Sequence, residues 1–317
     1  MQTSLFPEKC MPLVIQPSNK MGNSLKSLCN WLMDNREDIL NELYKYGALL
    51  LRGFDLNNIK QFENCASIIG NSLTDYCGGD SPRDKLSSVV YTSTSYPPEY
   101  KISMHNEKSF SKIYPNLLFL FCDIPPDEGG ETPILDGRKI YSLLDKNIID
   151  KFMTKKLKYV MNLHDGYGIG KSWKECFETS DKNEVEKLLY KAQANFKWKI
   201  DGGLRIEETV DPIIKHPKTG EIVYFAQADQ WHPSNLDKKT LHSMQLVISE
   251  EDFYHHCYYG DGSHIEIEYL EKIRNLTEKE SISFQWEKGD FLVLDNILTL
   301  HGRYPYKGNR RILVAMS

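Results

Sequence analysis

The segment WEKGDFLVLDNILTLHGRYPYKGNRRILVAM, residues 286–316, carries the strongest signal for the fold of this chain. It contains two apolar runs, DFLVLDN at 290–296 and RRILVAM at 310–316, each with the length and composition of a buried strand. A histidine, His301, lies between the two runs. The segment therefore predicts two core strands joined by a polar connection.

Other strand-like runs lie on both sides of one long helical region. Strands are predicted at 48–54, 87–93, 116–123, 132–137, 221–227 and 281–286. Helices are predicted at 23–46, which Gly47 ends, at 57–69, and over most of 138–195, with a strand-like interruption at 157–163. Because the strands do not alternate regularly with helices, the pattern favours an antiparallel β core with helices packed outside it.

The domain organisation follows from the length and from the absence of internal boundaries. A chain of 317 residues is long enough for one large domain with a full core, and no repeat or low-complexity linker divides it. We therefore expect a single domain over residues 1–317, of the α+β class with a mainly β core. Residues 1–44 are expected to form an N-terminal helical segment, and 138–195 a mostly helical insertion.

The composition excludes several classes of partner. A net charge of -5 and an isoelectric point near 6.0 give no electrostatic reason to expect binding to nucleic acid or to an anionic membrane. The seven cysteines are odd in number and scattered, which is typical of reduced thiols. No apolar run reaches the roughly 18 residues of a membrane span, and the N-terminus lacks a signal-peptide pattern. We therefore expect a soluble cytoplasmic protein.

Two tripeptides, HNE at 105–107 and HIE at 264–266, place a histidine two residues before a glutamate. Such side chains can reach one metal ion only in extended backbone, since on a helix they point about 200° apart. The HIE copy opens a run with apolar residues at helical spacing, so its side chains are expected to diverge. The HNE copy lies between strand-like segments, so its side chains can converge on a metal ion.

A third ligand is best supplied by His301. Two histidines and one carboxylate on one face of a metal ion form the facial triad of non-haem Fe(II) oxygenases, which leaves positions open for a cosubstrate and oxygen. The same set of ligands also permits Zn(II) and hydrolysis. Hydrolysis, however, gives no reason for the arginines that begin the last strand, Arg310 and Arg311.

These residues resemble the Fe(II)/2-oxoglutarate dioxygenases of the TauD/TfdA superfamily, and within it the SyrP-like branch of amino-acid-modifying oxygenases of secondary metabolism. The resemblance covers most of the chain from about residue 45 onward. Its matching segments are LRGF at 51–54, SPRDKLSSVVYTSTSYPPEYKISMHNE at 81–107, DEGGETPILDGRKIY at 127–141, HPKTGEIVYF at 216–225, and residues 286–316.

The resemblance implies a double-stranded β-helix, or jelly roll, with flanking helices and a helical insertion. It implies that His105, Glu107 and His301 bind Fe(II), with 2-oxoglutarate as cosubstrate and O2 as oxidant. Decarboxylation of 2-oxoglutarate to succinate then generates the oxidant that attacks a substrate C–H bond. Beyond the metal ligands, no acid or base side chain is required.

Further residues are assigned by the same resemblance. Arg311 would hold the distal carboxylate of 2-oxoglutarate, because a guanidinium suits bidentate pairing. Arg310 is the alternative, since consecutive strand residues face opposite sides. Thr132 falls where the family places a hydroxyl on that carboxylate. Asn106 would face the substrate or solvent, and Arg303 would bind an anionic group or brace its turn.

Departures from the family pattern concern the substrate. Glu107 stands where most of the superfamily has Asp, a variant that recurs in branches similar to clavaminate synthase and supports an amino-acid-like substrate. Ala315 stands four residues after Arg311, where the taurine enzyme has an arginine for the sulfonate, so a sulfonate is not expected. Halogenating relatives lack the carboxylate ligand, so the presence of Glu107 favours hydroxylation.

Three alternatives remain open at this point. The same site can support desaturation or cyclisation of a different small metabolite, the chain can be a metal-binding jelly roll without turnover, and the metal can be zinc. The expected partner is a small amino-acid-like molecule, free or tethered to a carrier protein, with no nucleic acid and no membrane.

Overall fold

The computed structural model describes residues 1–6, 9–18, 22–79, 81 and 83–317. Pro82, inside the matching segment 81–107, lies outside the described residues. The described strands are β1 (Gln2–Leu5), β2 (Leu13–Gln16), β3 (Ala48–Leu51), β4 (Tyr91–Thr92), β5 (Ile102–His105), β6 (Leu117–Ile124), β7 (Glu128–Gly129), β8 (Ile134–Asp136), β9 (Leu157–Leu163), β10 (Asn195–Trp198), β11 (Leu204–Val210), β12 (Ile213–Lys215), β13 (Ile222–Tyr224), β14 (His255–Tyr259), β15 (Phe291–Asp295), β16 (Thr299–Arg303), β17 (Tyr306–Lys307) and β18 (Arg311–Met316).

The described helices connect these strands or cover their sheets. They are α1 (Leu25–Asp34), α2 (Arg36–Tyr46), α3 (Ile59–Gly70), α4 (Gly137–Leu143), α5 (Lys146–Lys155), α6 (Trp173–Phe177), α7 (Lys182–Lys191), α8 (Ala228–Trp231), α9 (Lys238–Gln245) and α10 (Ile267–Glu280). Among the residues described, no helix is both long and apolar enough to span a membrane.

A seven-stranded sheet forms the largest layer, in the order β1-β2-β3-β15-β6-β18-β4. Its strands pair antiparallel except for β2 and β3. One face is covered by α1, α2 and α3, and there Phe62 of α3 stacks on Phe121 and meets Phe291 edge-on. The apolar side chains of both faces are buried, which explains why β6, β15 and β18 read as continuous apolar runs.

A three-stranded sheet, β5-β16-β8, lies opposite the inner face of the seven-stranded sheet. Ile134 of β8 belongs to the same buried cluster as Leu118 of β6 and Ile312 of β18, so the two sheets pack against one another. At one end they separate around a cavity that both sheets line. A further sheet, β10-β11-β9-β14, packs with α4, α5 and α7 around a separate apolar cluster.

Several predicted elements match the structure. The final two core strands are present as β15 and β18, and Gly47 ends α2 in the left-handed conformation that favours glycine. The helix predicted at 23–46 divides at Asn35, whose side chain donates to the Trp31 carbonyl. Asparagine side chains compete in this way with the helical hydrogen bonds.

Other predicted elements differ from the structure. Only Tyr91–Thr92 of the run 87–93 forms a strand, because the Ser87 hydroxyl accepts hydrogen bonds from the amides of Val89 and Val90 and turns the chain. The run 281–286 contributes one isolated bridge, between Ile282 and Ile134, and no strand.

The N-terminal segment 1–44 is also less helical than expected. It contains β1 and β2 in addition to its helices. The strand-like character expected before HNE is present as β5, but the sequence interpretation missed β10, β11, β12, β14 and β16. Most of these strands have polar or partly exposed residues along one face, so they carry no continuous apolar run.

Candidate iron and 2-oxoglutarate site

The two histidine ligands predicted from the sequence lie directly opposite one another. His105 ends β5 and His301 is the central residue of β16, and the two form a cross-strand pair in the antiparallel ladder. Their ring centroids are 4.4 Å apart. His301 thus lies within a strand, and the polar turn that was expected at this position comes earlier, between β15 and β16.

Glu107 follows β5 and completes the group. The candidate ligand atoms of His105, Glu107 and His301 all lie within 4.8 Å of one another. The backbone of Glu107 is fixed by Asn296, whose Oδ1 accepts from the Glu107 amide at 2.7 Å and whose Nδ2 donates to the Glu107 carbonyl at 3.0 Å. The HNE tripeptide therefore brings its two candidate ligands together where β5 ends and a turn begins.

Electrostatics keep the carboxylate ionised. Burial raises the pKa of Glu107, but Arg83, His105 and His301 outweigh burial and lower that pKa to about 2. The closest of these groups is the Arg83 guanidinium, whose Nη2 lies 2.7 Å from Glu107 Oε2. Glu107 is therefore an anion at neutral pH, which is the form that binds a metal ion.

The histidines have the forms that ligation requires. His105 Nδ1 lies 2.8 Å from the Ser103 carbonyl oxygen, which can only accept, so Nδ1 carries a proton and Nε2 is the nitrogen available to a metal ion. Burial lowers the pKa of His301 well below its usual value, and His105 lowers it further, so His301 is neutral. Two neutral imidazoles and one carboxylate fit Fe(II) with three positions left for other ligands.

Arg310 lines the same cavity, and Arg311 does not. Arg310, Ile312 and Val314 alternate along the chain and all three face the cavity. The assignment of Arg311 to the cosubstrate is therefore corrected, since its side chain is 51% exposed and pairs with Asp123. The reason is the alternation of side chains in extended backbone, which turns Arg311 outward between the inward-facing Arg310 and Ile312. Outside the sheet, a bulge in β6 leaves Asp123 as an extra residue beside Arg311, since the ladder passes from the Arg311–Ile124 pair to the Ile312–Cys122 pair.

The surroundings of Arg310 suit an anion. Its Nε donates to the Gly130 carbonyl at 2.9 Å, and its other nitrogens reach the hydroxyls of Ser93 at 3.3 Å and Thr132 at 3.4 Å. Burial lowers the pKa of Arg310 to about 10, with the positive charge of Arg303 adding to the effect, so Arg310 remains protonated at neutral pH. In the described ranges of the chain, no carboxylate forms an ion pair with it. A buried or partly buried cation of this kind calls for an anionic ligand.

The other two polar predictions have different outcomes. Arg303 lines the cavity, but its Nη atoms donate to the carbonyls of Tyr96, Pro97 and Tyr100, so it braces that loop. Asn106 points away from the cavity and donates to the Asn296 carbonyl at 2.7 Å. Both alternatives expected for Asn106 are therefore wrong, because its side chain is not part of the cavity lining and, being fully buried, does not face solvent.

With this geometry in place, known proteins supply an independent comparison. A family model described as "Taurine catabolism dioxygenase TauD, TfdA family" matches residues 12–316. The chain belongs to the TauD/TfdA family. This confirms the sequence-based prediction of an Fe(II)/2-oxoglutarate-dependent dioxygenase, an oxidoreductase that uses Fe(II), 2-oxoglutarate and O2.

Two curated relatives and one solved structure are similar over most of their length. The dapdiamide synthesis protein DdaC of Enterobacter agglomerans is 33% identical over 280 residues, 88% of this chain and 84% of that protein. A clavaminate synthase-like protein of Arabidopsis thaliana is 28% identical over 327 residues, 99% of this chain and 96% of that protein. A structure of asparagine oxygenase with Fe(II), 2S,3S-3-hydroxyasparagine and succinate has a TM-score of 0.56 and 11% identity, covering 95% and 84% of the two chains. The last likeness concerns the fold.

Two residues of this TauD/TfdA-family site were missed by sequence reasoning. Arg83 pairs with Glu107 and also lies over the ring of Tyr76, with 4.2 Å from its guanidinium carbon to the ring centroid. Asn296 sits in the β15–β16 turn and is fully buried. In the sequence, an apolar strand pattern followed by Asp-Asn indicates the turn. Nothing in that stretch, however, indicates that the Asn296 side chain forms hydrogen bonds with the Glu107 backbone.

We predict that Asn296→Ala weakens Fe(II) binding although Asn296 does not touch the ion. The change removes three side-chain hydrogen bonds, two of them to the Glu107 backbone, so Glu107 is held less firmly. Loss of such supporting contacts reduces metal affinity by about 10–100-fold. Anaerobic Fe(II) titration measures the effect, and Asn195→Ala, at an exposed position in β10, is the control.

A role limited to folding would give a different result for Asn296→Ala. The thermal midpoint would fall, but the Fe(II) affinity of the folded fraction would match wild type. Asn296→Asp should not restore Fe(II) affinity, since an aspartate retains the acceptor and loses the donor to the carbonyls of Glu107 and Pro115.

The HIE copy does not form a comparable pair. Its two side chains diverge as expected: His264 lies near the Tyr258 ring, whereas Glu266 accepts from the Tyr259 hydroxyl at 2.6 Å and pairs with Lys151. The expected reason is wrong, however, because α10 begins at Ile267 and both residues precede the helix.

Proposed function

We propose that this dioxygenase hydroxylates an unactivated carbon of an amino-acid-like substrate in secondary metabolism. The observation that carries the proposal is one cavity that holds three metal-ligating side chains and an arginine, Arg310, for which the described residues supply no carboxylate. The substrate is proposed to be a small molecule, either free or tethered to a carrier protein.

We propose the following division of labour within the cavity. His105, Glu107 and His301 would hold Fe(II), which when bound supplies the activation of O2 that drives oxidative decarboxylation of 2-oxoglutarate. Arg310 would receive the distal carboxylate of 2-oxoglutarate, with Thr132 as the hydroxyl beside it. A guanidinium can make two parallel hydrogen bonds to a carboxylate, which fixes the direction of the cosubstrate as well as its position.

In this proposal, the other residues that line the cavity exclude water and hold a neighbouring loop in place. Leu118 and Leu120 of β6 and Ile312 and Val314 of β18 line the cavity, and these apolar side chains exclude water from the reacting atoms. Arg303 keeps the loop 96–100 in place over one side by its hydrogen bonds to three carbonyls.

The choice of substrate class rests on the walls of the cavity and on the relatives. With Arg310 as the anchor, the residue four positions later is Val314, an apolar residue in the cavity, whereas Ala315 lies on the opposite face of β18. Val314 therefore offers no positive charge to bind a substrate sulfonate at this position. DdaC is named for dapdiamide synthesis, and the asparagine oxygenase structure contains a hydroxylated amino acid. Both relatives support an amino-acid-like substrate.

We also propose that the architecture is a jelly roll in a single domain spanning residues 1–317. The seven-stranded and three-stranded sheets would be its two faces, with the cavity at the open end between them. The packing of Ile134, in the three-stranded sheet, with Leu118 and Ile312 of the seven-stranded sheet supports this arrangement. The segment 138–195 would then be an insertion, which contains β9 and four helices among its described residues.

The reaction outcome can be tested by isotope labelling. With O2 labelled by oxygen-18, one labelled atom should appear in succinate and the other in the product, which should gain about 18 Da with labelled O2 and about 16 Da with ordinary O2. Excess chloride or bromide should give no halogenated product, because Glu107 fills the position that halide would need. The substrates to be tested are free amino acids and the corresponding aminoacyl groups attached to a carrier protein. A product lighter by two hydrogens would indicate desaturation or cyclisation, and taurine turnover with sulfite release would contradict the proposed substrate class.

A further inference from the structure

A second group of metal-ligating side chains lies outside the cavity described above. One ligand atom from each of Glu250, His256 and His264 can be chosen so that all three lie within 4.8 Å of one another. The group has the same composition as the iron site, with two imidazoles and one carboxylate, but none of its members lines the iron cavity.

The three side chains come from three separate segments of the chain. Glu250 begins the short 3-10 turn Glu250–Asp252, His256 is in the edge strand β14, and His264 is in the connection before α10. An ion that binds all three side chains would link these three segments to one another. His256 is fully buried and His264 is exposed, so an ion at this position would be reached from solvent.

The hydrogen-bonding geometry of His256 suits a cation shared with Glu250. Its Nδ1 lies 3.1 Å from the Cys257 carbonyl oxygen and its Nε2 lies 2.8 Å from Glu250 Oε1, so both nitrogens face acceptors. A neutral imidazole has one N–H and can satisfy only one of these two acceptors. Donation from Nδ1 to the carbonyl leaves the Nε2 lone pair facing the carboxylate, and a cation shared by the two groups removes that conflict.

The orientation of the His256 ring is fixed before any ion binds. The ring of Tyr258 stacks on it with centroids 3.9 Å apart and planes inclined by 3°. His232 meets it edge-on at 5.1 Å between centroids, and His232 Nδ1 accepts from the Ser234 amide. His264 meets the Tyr258 ring edge-on at 5.3 Å between centroids, and its centroid is 6.3 Å from that of His256. A preorganised ligand loses little conformational freedom on binding.

We propose that Glu250, His256 and His264 form a second metal site, which binds a divalent transition-metal ion of the zinc class. Each imidazole contributes one lone pair and Glu250 one carboxylate oxygen, so the ion replaces the proton that would otherwise lie between His256 and Glu250. Water completes the coordination. The borderline-soft nitrogen ligands favour Zn(II), Co(II) or Ni(II) over Mg(II) and Ca(II), which prefer oxygen.

This site explains the proximity of His264 as well as the contact between His256 and Glu250. A protonated His256 would also satisfy Glu250, as a simple ion pair, but that ion pair would give His264 no role. The two accounts therefore differ in the behaviour of a His264 variant. Because His264 is exposed and precedes α10, its replacement leaves the packing of the fold intact.

The test counts bound ions by equilibrium dialysis against Co(II) or Zn(II), followed by elemental analysis. Wild type should bind about two equivalents, one at the iron site and one at the second site. His264→Ala should bind about one, whereas His242→Ala, at an exposed histidine of α9, should bind two. Glu250→Gln should behave like His264→Ala. Wild type and His264→Ala binding the same number of ions would overturn the proposal.

The experiment also separates this site from the iron site. His105→Ala should lose one equivalent and retain the one that depends on His264, and the double variant His105→Ala/His264→Ala should bind none. Zn(II) should raise the thermal midpoint of His105→Ala, since an ion that binds only the folded state stabilises it. No such rise should occur in the double variant. Uncoupled 2-oxoglutarate decarboxylation to succinate by iron-loaded His264→Ala should equal that of wild type.

Discussion

Replacing Arg310 with alanine is expected to raise the apparent KM for 2-oxoglutarate by about two to three orders of magnitude. The basis is that a carboxylate enclosed in a cavity without its charged partner loses about 3–5 kcal/mol, and each 1.4 kcal/mol corresponds to about a tenfold change in affinity. Thr132 would remain, but a neutral hydroxyl cannot replace a guanidinium that offers two parallel hydrogen bonds.

Arg311→Ala is the matched control, because the two arginines are neighbours with the same charge. Arg311 is half-exposed and pairs with Asp123 on the outside of the sheet, and an exposed ion pair of this kind contributes about 0–1 kcal/mol. The apparent KM of Arg311→Ala should therefore stay close to that of wild type. Initial rates of succinate formation at varied 2-oxoglutarate give both values.

The two outcomes discriminate between the arginines directly. A large effect in Arg311→Ala and a small one in Arg310→Ala would restore the assignment made from sequence. Equal KM values in wild type and both variants would remove the arginine pair from cosubstrate binding altogether. Arg310→Lys should be intermediate, since lysine keeps the charge and loses the bidentate geometry.

The choice between these arginines could not be made from the sequence, for a physical reason. A strand with one exposed face shows which residues point inward by alternating polar and apolar positions. In β18 both faces are buried, Leu313 and Ala315 against the helices and Ile312 and Val314 toward the cavity, so RILVAM has no such alternation. Asp123, the bulge residue that pairs with Arg311 outside the sheet, belongs to the partner strand, so the sequence of β18 does not reveal this contact.

The grouping of the three candidate metal ligands could be predicted because each has a signal in its own stretch of sequence. His105 and Glu107 are two residues apart in a segment of extended character, and His301 lies between two unmistakable core strands. Asn296 and Arg83, which hold Glu107, gave no such signal, since their contacts span 189 and 24 positions of the chain. Contacts of this kind follow from the folded arrangement of the strands.

Alanine at any one of the three ligands is expected to remove most Fe(II) binding and turnover. Two remaining ligands leave a poorly defined site that holds the ion weakly. The readouts are iron content after dialysis and the weak visible band that 2-oxoglutarate produces when it chelates protein-bound Fe(II) without oxygen. His105→Ala, Glu107→Ala and His301→Ala should lack the band.

His264→Ala provides the control for these ligand variants. It removes a histidine from the other histidine-x-glutamate tripeptide, which lies outside the iron cavity, so the visible band should be preserved. Loss of the band in His264→Ala together with its retention in His105→Ala would reverse the assignment of the two tripeptides. Zinc in place of iron would give no band in wild type and would remove the oxygenase assignment itself.

Glu107→Gln is the most informative of the ligand variants. Glu107→Ala also removes the carboxylate that Arg83 contacts at 2.7 Å, so a loss of iron there can reflect a rearranged cavity. Glutamine keeps the size and the hydrogen-bonding oxygen but loses the negative charge, which is the property that the low pKa of Glu107 preserves at neutral pH. We expect Glu107→Gln to melt within a few degrees of wild type and still to lose iron, because an amide oxygen is a much weaker ligand than a carboxylate. If Glu107→Gln bound Fe(II) as wild type does, the carboxylate would not be a ligand, and its pairing with Arg83 would be its main role.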